Sequence, residues 1–297
     1  LTLTWRGRLE LHQDFVLKPN QKLIIQPGTQ IQLSQNAHLI WYGEVHALGT
    51  AEQPIVIEAQ EGSHSSGFLE HPAGNCELRY VQIKGLSSFS KGHWKTPAAF
   101  TVHATPDLVM DGGWFYDNKT GDDMINLFGC QNYTMTNCRY EKTLSDAFDS
   151  DFSSGLVKAC YFVQIGNDGV DGSGSTIEIL NSDFNEISDK AISSGERSHF
   201  LAEGNRIRNA ELVFVAKDQS VLKVAQNDFS GNKLDFAVFQ KKPEYGPARI
   251  EFTGNLVQFS GLFQNGSEIQ HAGPAIKTVK NVEELLYGNV YGKATVK

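Results

Sequence analysis

Between residues 134 and 184 one pattern occurs three times: Thr134-Met135-Thr136-Asn137-Cys138-Arg139-Tyr140, Leu156-Val157-Lys158-Ala159-Cys160-Tyr161-Phe162, and Ile177-Glu178-Ile179-Leu180-Asn181-Ser182-Asp183-Phe184. It returns as Phe200-Leu201-Ala202-Glu203-Gly204-Asn205-Arg206-Ile207 and as Val221-Leu222-Lys223-Val224-Ala225-Gln226-Asn227-Asp228-Phe229. The closing residues Tyr140, Phe162, Phe184, Ile207 and Phe229 therefore fall 22, 22, 23 and 22 residues apart. A fixed period of this kind marks stacked structural units. Within each unit apolar and polar residues alternate, which reads as strands with one buried face, and Gly, Asn, Asp or Ser follows where the chain must turn. There is almost no helical period. Units of about 22 to 25 residues holding short strands and no helix suit an all-β solenoid, a right-handed parallel β-helix in which each coil touches only its neighbours. Leucine-rich repeats need Leu-x-x-Leu-x-Leu, which is absent, and a propeller needs about 40 residues per blade. Two residues before each closing position stand Cys138, Cys160, Ser182, Asn205 and Asn227, small or amide side chains suited to stacking at a bend.

Working outward, Leu23-Ile24-Ile25-Gln26-Pro27-Gly28-Thr29-Gln30-Ile31-Gln32-Leu33, His38-Leu39-Ile40-Trp41-Tyr42-Gly43 and Pro54-Ile55-Val56-Ile57 read as the first coils of the same solenoid. Residues 58–75 and 84–98, rich in Ser, Gly, His and Glu, break the rhythm and are expected to project as loops. Asn281-Val282-Glu283-Glu284-Leu285-Leu286-Tyr287-Gly288 offers a cap, acids in the first turn and a Gly stop, and so predicts a short helix. It is expected to cover the open end of the sheet. The expected organisation is a β-helix over 1–280 and a capping segment over 281–297.

With 26 Lys and Arg against 34 Asp and Glu, the net charge of -8 argues against nucleic acid as a partner. No apolar run is long enough to insert in a membrane, and the N-terminus has no signal-peptide pattern, so an export signal would lie outside these residues. The four cysteines are too few for a disulfide scaffold. Free buried thiols are the favoured reading; a Cys130–Cys138 bridge in an oxidising compartment is the alternative.

The chemistry concentrates after each closing residue. Ser145-Asp146-Ala147-Phe148-Asp149-Ser150-Asp151, Asn167-Asp168-Gly169-Val170-Asp171-Gly172-Ser173 and Asp189-Lys190-Ala191-Ile192-Ser193-Ser194-Gly195 share a template, preceded by Asp122-Asp123-Met124-Ile125-Asn126. Ile125, Phe148, Val170 and Ile192 form one column, assigned to the core. Asp123, Asp146, Asp168 and Lys190 form a second, and Asn126, Asp149, Asp171 and Ser193 a third. Coils stack at about 4.8 Å, so acids in one column raise one another's pKa unless a cation lies among them or some hold protons. Three readings stay open: solvated acids at turn tips, a Ca2+ site, or an acid/base pair. The ligand candidates are Asp123, Asp146, Asp149, Asp168 and Asp171. If Asp146 and Asp168 are buried and bonded to backbone amides, the metal reading falls. The absence of a His/Cys cluster argues against zinc.

Further along come Lys190, Glu196 and Arg197, then Lys217 and Asp218, then Lys241, Lys242, Glu244 and Tyr245, at comparable places in successive coils. They are expected to extend the same face, giving a groove with acids at one end and cations at the other, suited to an acidic polysaccharide. Asp151, Glu196, Lys241, Lys242 and Tyr245 are the substrate-binding candidates. Trp94, Trp114, Tyr116 and Phe148 are candidate sugar platforms, Phe148 being better placed in the core.

On these residues the chain resembles the pectate-lyase-like superfamily of right-handed β-helix proteins over roughly residues 20–260. In its lyases, Ca2+ on aspartates of successive coils neutralises a uronate while Lys or Arg removes the C5 proton. By position the resemblance implies Asp146, Asp149, Asp168 and Asp171 for the ion and Lys190, Arg197 and Lys217 as base. Gly121-Asp122-Asp123 is also similar to the Gly-Asp-Asp of polygalacturonase-type hydrolases, whose Gly-His-Gly and Arg-Ile-Lys partners are absent. The stretches 166–175 and 241–246 are similar to bacterial surface β-helix proteins. The resemblance implies a monomeric, secreted, periplasmic or surface protein that cleaves an acidic polysaccharide, a lyase with Asp149, Asp171, Lys190, Arg197 and Lys217 as catalytic candidates. The alternatives are a hydrolase using paired Asp carboxylates and a non-catalytic glycan-binding module.

Overall fold

The computed structural model describes residues 1–72, 74–253, 259–272 and 275–288. The chain winds into a parallel β-solenoid of about 11 turns, with about 23 residues per coil and, among the described residues, one short helix. From the first coil to the strand Asp228–Ser230, the coils lay strands on three sheets. The first sheet has 12 strands, from Thr2–Trp5 to Glu268–Gln270. The second starts at Arg8–Leu11 and ends at Asp228–Ser230, and the third runs from Phe15–Leu17 to Gly261–Phe263. These two fuse where Asp183–Gly195 and Arg206–Lys217 pass through both as single long strands.

The registers reproduce the period read from sequence. Tyr140 pairs with Phe162, Phe162 with Phe184, Phe184 with Ile207, and Ile207 with Phe229. The rings of Tyr140, Phe162 and Phe184 lie within 4° of parallel at centroid separations of 4.9 and 4.5 Å. Ile125, Phe148, Val170 and Ile192 are register partners and wholly buried, so this column is core as expected, and Phe148 is no sugar platform. Burying each such side chain contributes roughly 1.5–3 kcal/mol, and the stack supplies one per coil.

The corners explain the small-residue column. One residue before each member the chain passes through the left-handed region: Asn137, Ala159, Asn181, Gly204 and Gln226 have φ of 55°, 53°, 49°, 68° and 54°. A single left-handed residue turns the strand sharply and strands a backbone N–H. The side chain one coil ahead accepts it: Cys160 N–H donates to Ser182 Oγ at 3.1 Å, Ser182 N–H to Asn205 Oδ1 at 2.9 Å, and Asn205 N–H to Asn227 Oδ1 at 2.9 Å. All four cysteines are free and buried, which excludes a Cys130–Cys138 bridge.

Two expectations are corrected. Of residues 58–75, Gly67–Glu70 is a strand of the third sheet and not part of a projecting loop; with four residues and three of them buried in succession, it shows no alternation to read from sequence. Residues 84–98 do project, as an antiparallel hairpin of Ser90–Lys91 and Trp94–Lys95. The helix Val282–Tyr287 forms with Asn281 as its cap, whose Oδ1 accepts from Glu284 N–H at 3.1 Å. It does not cover the end of the solenoid. It lies on the flank of the third sheet, where Val282 and Leu286 bury against Leu212, Val215, Leu234 and Ala237. Residues 289–297 of the expected capping segment lie outside the described residues.

Candidate functional site

The third sheet and the corner leading into it carry a groove of about 1410 Å³. Its floor is the two polar columns. Asp123 pairs with Asp146, and Asn126, Asp149, Asp171 and Ser193 follow one another in register. The strand pleat points these side chains outward while Ile125, Phe148 and Val170 point in. Asp146 lies two residues from Phe148 on the strand Asp146–Asp151, where strict alternation would put both on one side, yet Asp146 lines the groove while Phe148 is core, so the strand bends between them.

Asp146 and Asp168 are buried, at 7% and 2% exposure. Asp146 Oδ1 accepts from the backbone N–H of Asp168 at 2.9 Å and from Asn167 Nδ2 at 2.5 Å. Asp168 Oδ1 accepts from the backbone N–H of Lys190 at 3.0 Å and from Lys190 Nζ at 2.8 Å. Lys190 also meets Asp189 at 2.5 Å, and Lys217 reaches back across two coils to within 3.4 Å of Asp171 Oδ1. Both lysines are nearly buried, and although burial alone would lower their pKa, Asp168 and Asp171 hold them firmly protonated.

The site is thereby split electrostatically. Burial raises Asp171, but Lys217 and Lys190 outweigh it and hold its carboxyl below the usual range. One coil away, burial and then the charges of Asp171, Asp151 and Asp146 push Asp149 well above that range. Burial, Asp149 and Asp146 do the same to Asp123, whose Oδ2 has no hydrogen-bond partner among the described residues. Asp146 is pushed up to about 8, by burial and then by Asp168 and Asp171. Asp151, raised by burial, accepts from Asn126 Nδ2 at 3.1 Å. One end of the floor is thus biased towards the protonated form and the next carboxylate, Asp171, towards the ionised one.

The oxygens of Asp146, Asp168 and Asp171 lie within 4.8 Å of one another, close enough for one ion to touch all three. Calcium fits this donor set poorly. It takes about six to eight oxygens, whereas two of these three carboxylates are committed to backbone amides and two ammonium groups already bring positive charge to Asp168 and Asp171.

Of the other expected residues, Lys241 lines the groove with its Nζ 5.7 Å from the ring centre of Tyr287, and Asp151 lines it too. Burial, Lys217 and Lys190 lower the Lys241 pKa. Glu196, Arg197, Lys242 and Tyr245 do not line it and gather in a separate cluster. Glu196 pairs with Lys242 at 2.6 Å and accepts from Ser173 Oγ at 2.5 Å. Arg197 donates to Gln219 and lies 5.5 Å over Tyr245. Asp218 Oδ1 accepts from the backbone N–H groups of Lys241 and Lys242 at 2.6 and 2.7 Å, which fixes the segment separating the two groups. Trp114 and Tyr116 stack on each other away from the groove, and Trp94 sits exposed on the hairpin. Sequence reasoning missed Tyr287 and the helix as a wall. The available signal was the change of both polar columns to apolar residues at Leu212 and Val215.

Residues 110–271 match the family model described as a right-handed β-helix region, more than half of the chain. The chain belongs to the right-handed β-helix family. No curated protein matches it in sequence. Among solved structures of this fold, a double mutant of the periplasmic alginate epimerase AlgG superposes with a TM-score of 0.62 at 11% identity, covering 91% of this chain and 78% of that one. A single mutant of the same epimerase gives a TM-score of 0.58 at 12% identity with the same coverage. These likenesses establish the right-handed β-helix fold. No helix of the described residues is long and apolar enough to cross a membrane.

Proposed function

We propose that the protein is a carbohydrate-active β-helix that hydrolyses a glycosidic bond in the groove, with Asp149 as general acid and Asp171 as the ionised partner. The observation that carries this reading is a pair of register-neighbour carboxyls in unlike surroundings: burial and crowding by Asp171, Asp151 and Asp146 favour the protonated form of Asp149, whereas Lys217 lies 3.4 Å from Asp171 and favours its ionised form. Environments that push paired acids apart assign the acid and the base. Asp149 gives its proton to the departing glycosidic oxygen while the Asp171 carboxylate attacks the anomeric carbon. Water then cleaves the resulting ester, with Asp149 taking its proton. Register neighbours stand about 4.8 Å apart, near the roughly 5–5.5 Å separation of retaining enzymes, so retention of anomeric configuration is expected. Lys190 and Lys217 serve as the local cations, and no step uses a metal.

Charge argues for a glycan with few carboxylates. Ten carboxyl groups and four lysines line the groove. Three of those lysines, Lys190, Lys217 and Lys233, are paired with groove acids. A polymeric substrate of this kind implies action outside the cytoplasm. Elimination on a uronate polymer is the second reading, supported by Lys241, whose lowered pKa suits a proton-abstracting base.

Asp149→Asn tests both. The variant is expected to keep the parent melting temperature and to lose about 10²–10⁴ in turnover, measured as new reducing ends from neutral glycans. Unsaturated uronate ends that survive in Asp149→Asn and vanish in Lys241→Ala would establish the lyase. Undiminished affinity for a glycan that neither protein cleaves would establish a binding module.

A further inference from the structure

We propose that the groove is blind at one end and takes the terminus of a glycan chain, not an internal stretch. This inference rests on the glycan reading above. Both polar columns stop at the same coil. The register partner of Lys190 is Leu212 and that of Ser193 is Val215, followed by Leu234 and Ala237. All four are apolar and buried. Val215 and Ala237 belong to the cluster beneath the helix, whereas their neighbours Phe214 and Phe236 belong to the main core. The helix Val282–Tyr287 is therefore docked across the line that the acid columns follow, on their own outward face. Its last residue, Tyr287, lines the groove beside Lys241.

From Asp171 the column reaches Val215 in two coils, roughly 10 Å at the stacking distance. Along that line a short chain end fits and a longer one meets Tyr287 and the helix, while the corner beside it, at Glu211 and its ion-pair partner Lys233, carries polar lining further. In the other direction the outward register passes from Asp151 to Phe128 and His103. Phe128 and Phe152 are 45% and 59% exposed, with ring centroids 5.5 Å apart. Exposed aromatics rimmed by polar groups mark a contact surface; these two do not line the groove, but Phe128 stands one coil beyond Asp151, which does, on the side where the body of the chain would leave. The polarity of the groove thus selects one end of the glycan and predicts release of short products from that end.

The test uses the full chain carrying Asp149→Asn and hexasaccharides of glucose, mannose and N-acetylglucosamine bearing a fluorophore at either the reducing or the non-reducing end. The expected result is that one label position lowers affinity at least about tenfold, about 1.4 kcal/mol, and the other leaves it unchanged. Leu286→Ala with Tyr287→Ala should restore tolerance of the blocked label. Equal affinity for both label positions overturns the blind end while leaving the glycan reading intact. A one-sided label effect, with none of these glycans turned over by the parent protein carrying Asp149, supports the blind end and overturns the hydrolase. Failure of every probe to bind overturns both.

Discussion

Asp146 shows how one residue's surroundings set its chemistry. Its carboxyl sits between Asp123 and Asp168 on neighbouring coils, buried, with one oxygen fixed by a backbone amide. Its pKa is pushed up from 3.8 to about 8. A carboxyl raised in the folded state binds more protons there than in the unfolded chain, so its contribution is full below about pH 4 and is lost as pH rises towards 8. Asp171, held low, acts in the opposite sense, favouring the fold above its unfolded pKa and losing that contribution as pH falls. Asp146→Asn keeps the accepting oxygen and removes the proton. Urea unfolding of this variant should therefore flatten the decline in stability between pH 4 and 8 seen in the parent. An unchanged slope would mean that Asp146 ionises normally.

At the scale of the element, the strands are held in register by corners, and at one of them no side chain fits. Gly166 follows the strand Tyr161–Ile165, and a Cβ there would lie 2.2 Å from the backbone oxygen of Leu144 and 2.8 Å from that of Thr143. Backbone cannot step aside as a flexible side chain can. Gly166→Ala should therefore separate two coils at the edge of the groove and cost about 1–3 kcal/mol, read as a lower urea midpoint. Because Asn167 and Asp168, which position Asp146, follow directly, turnover should fall with stability. The helix Val282–Tyr287 illustrates the other limit. Its cap and length follow from local sequence, but its position follows from an apolar patch of Leu212, Val215, Leu234 and Ala237 that no local rule connects to it.

At the scale of the whole molecule, stacking both builds the fold and sets the charge of the site. Each coil contributes one layer to the core and one rung to the polar columns, so the acids are drawn together by the same hydrogen bonds that hold the sheets. The solenoid neutralises the crowding internally, through Lys190 from the next coil and Lys217 from two coils on. A ligand that binds only the folded state raises the melting temperature by mass action. Calcium should therefore give no rise and EDTA no fall, since the lysines stand where an ion would. A calcium-dependent rise abolished by Asp171→Asn would return the site to metal chemistry.

The sequence by itself determined the period, the parallel solenoid, the core columns and the two polar columns, residue by residue. It could do so because coils interact mainly with their nearest neighbours, and a nearest-neighbour stack writes its repeat directly into the chain. The tertiary structure decided what the columns do. Which acids keep their protons depends on burial and on Lys217 crossing 46 residues to Asp171. That Lys241 belongs to the groove while Lys242 beside it turns to Glu196 depends on side-chain direction, which spacing does not encode. The blind end depends on Val282 and Leu286 packing on Leu212 and Val215, which lie several coils earlier in the chain. Such long-range contacts follow from the shape left unfilled by the finished stack, and only the folded chain has that shape.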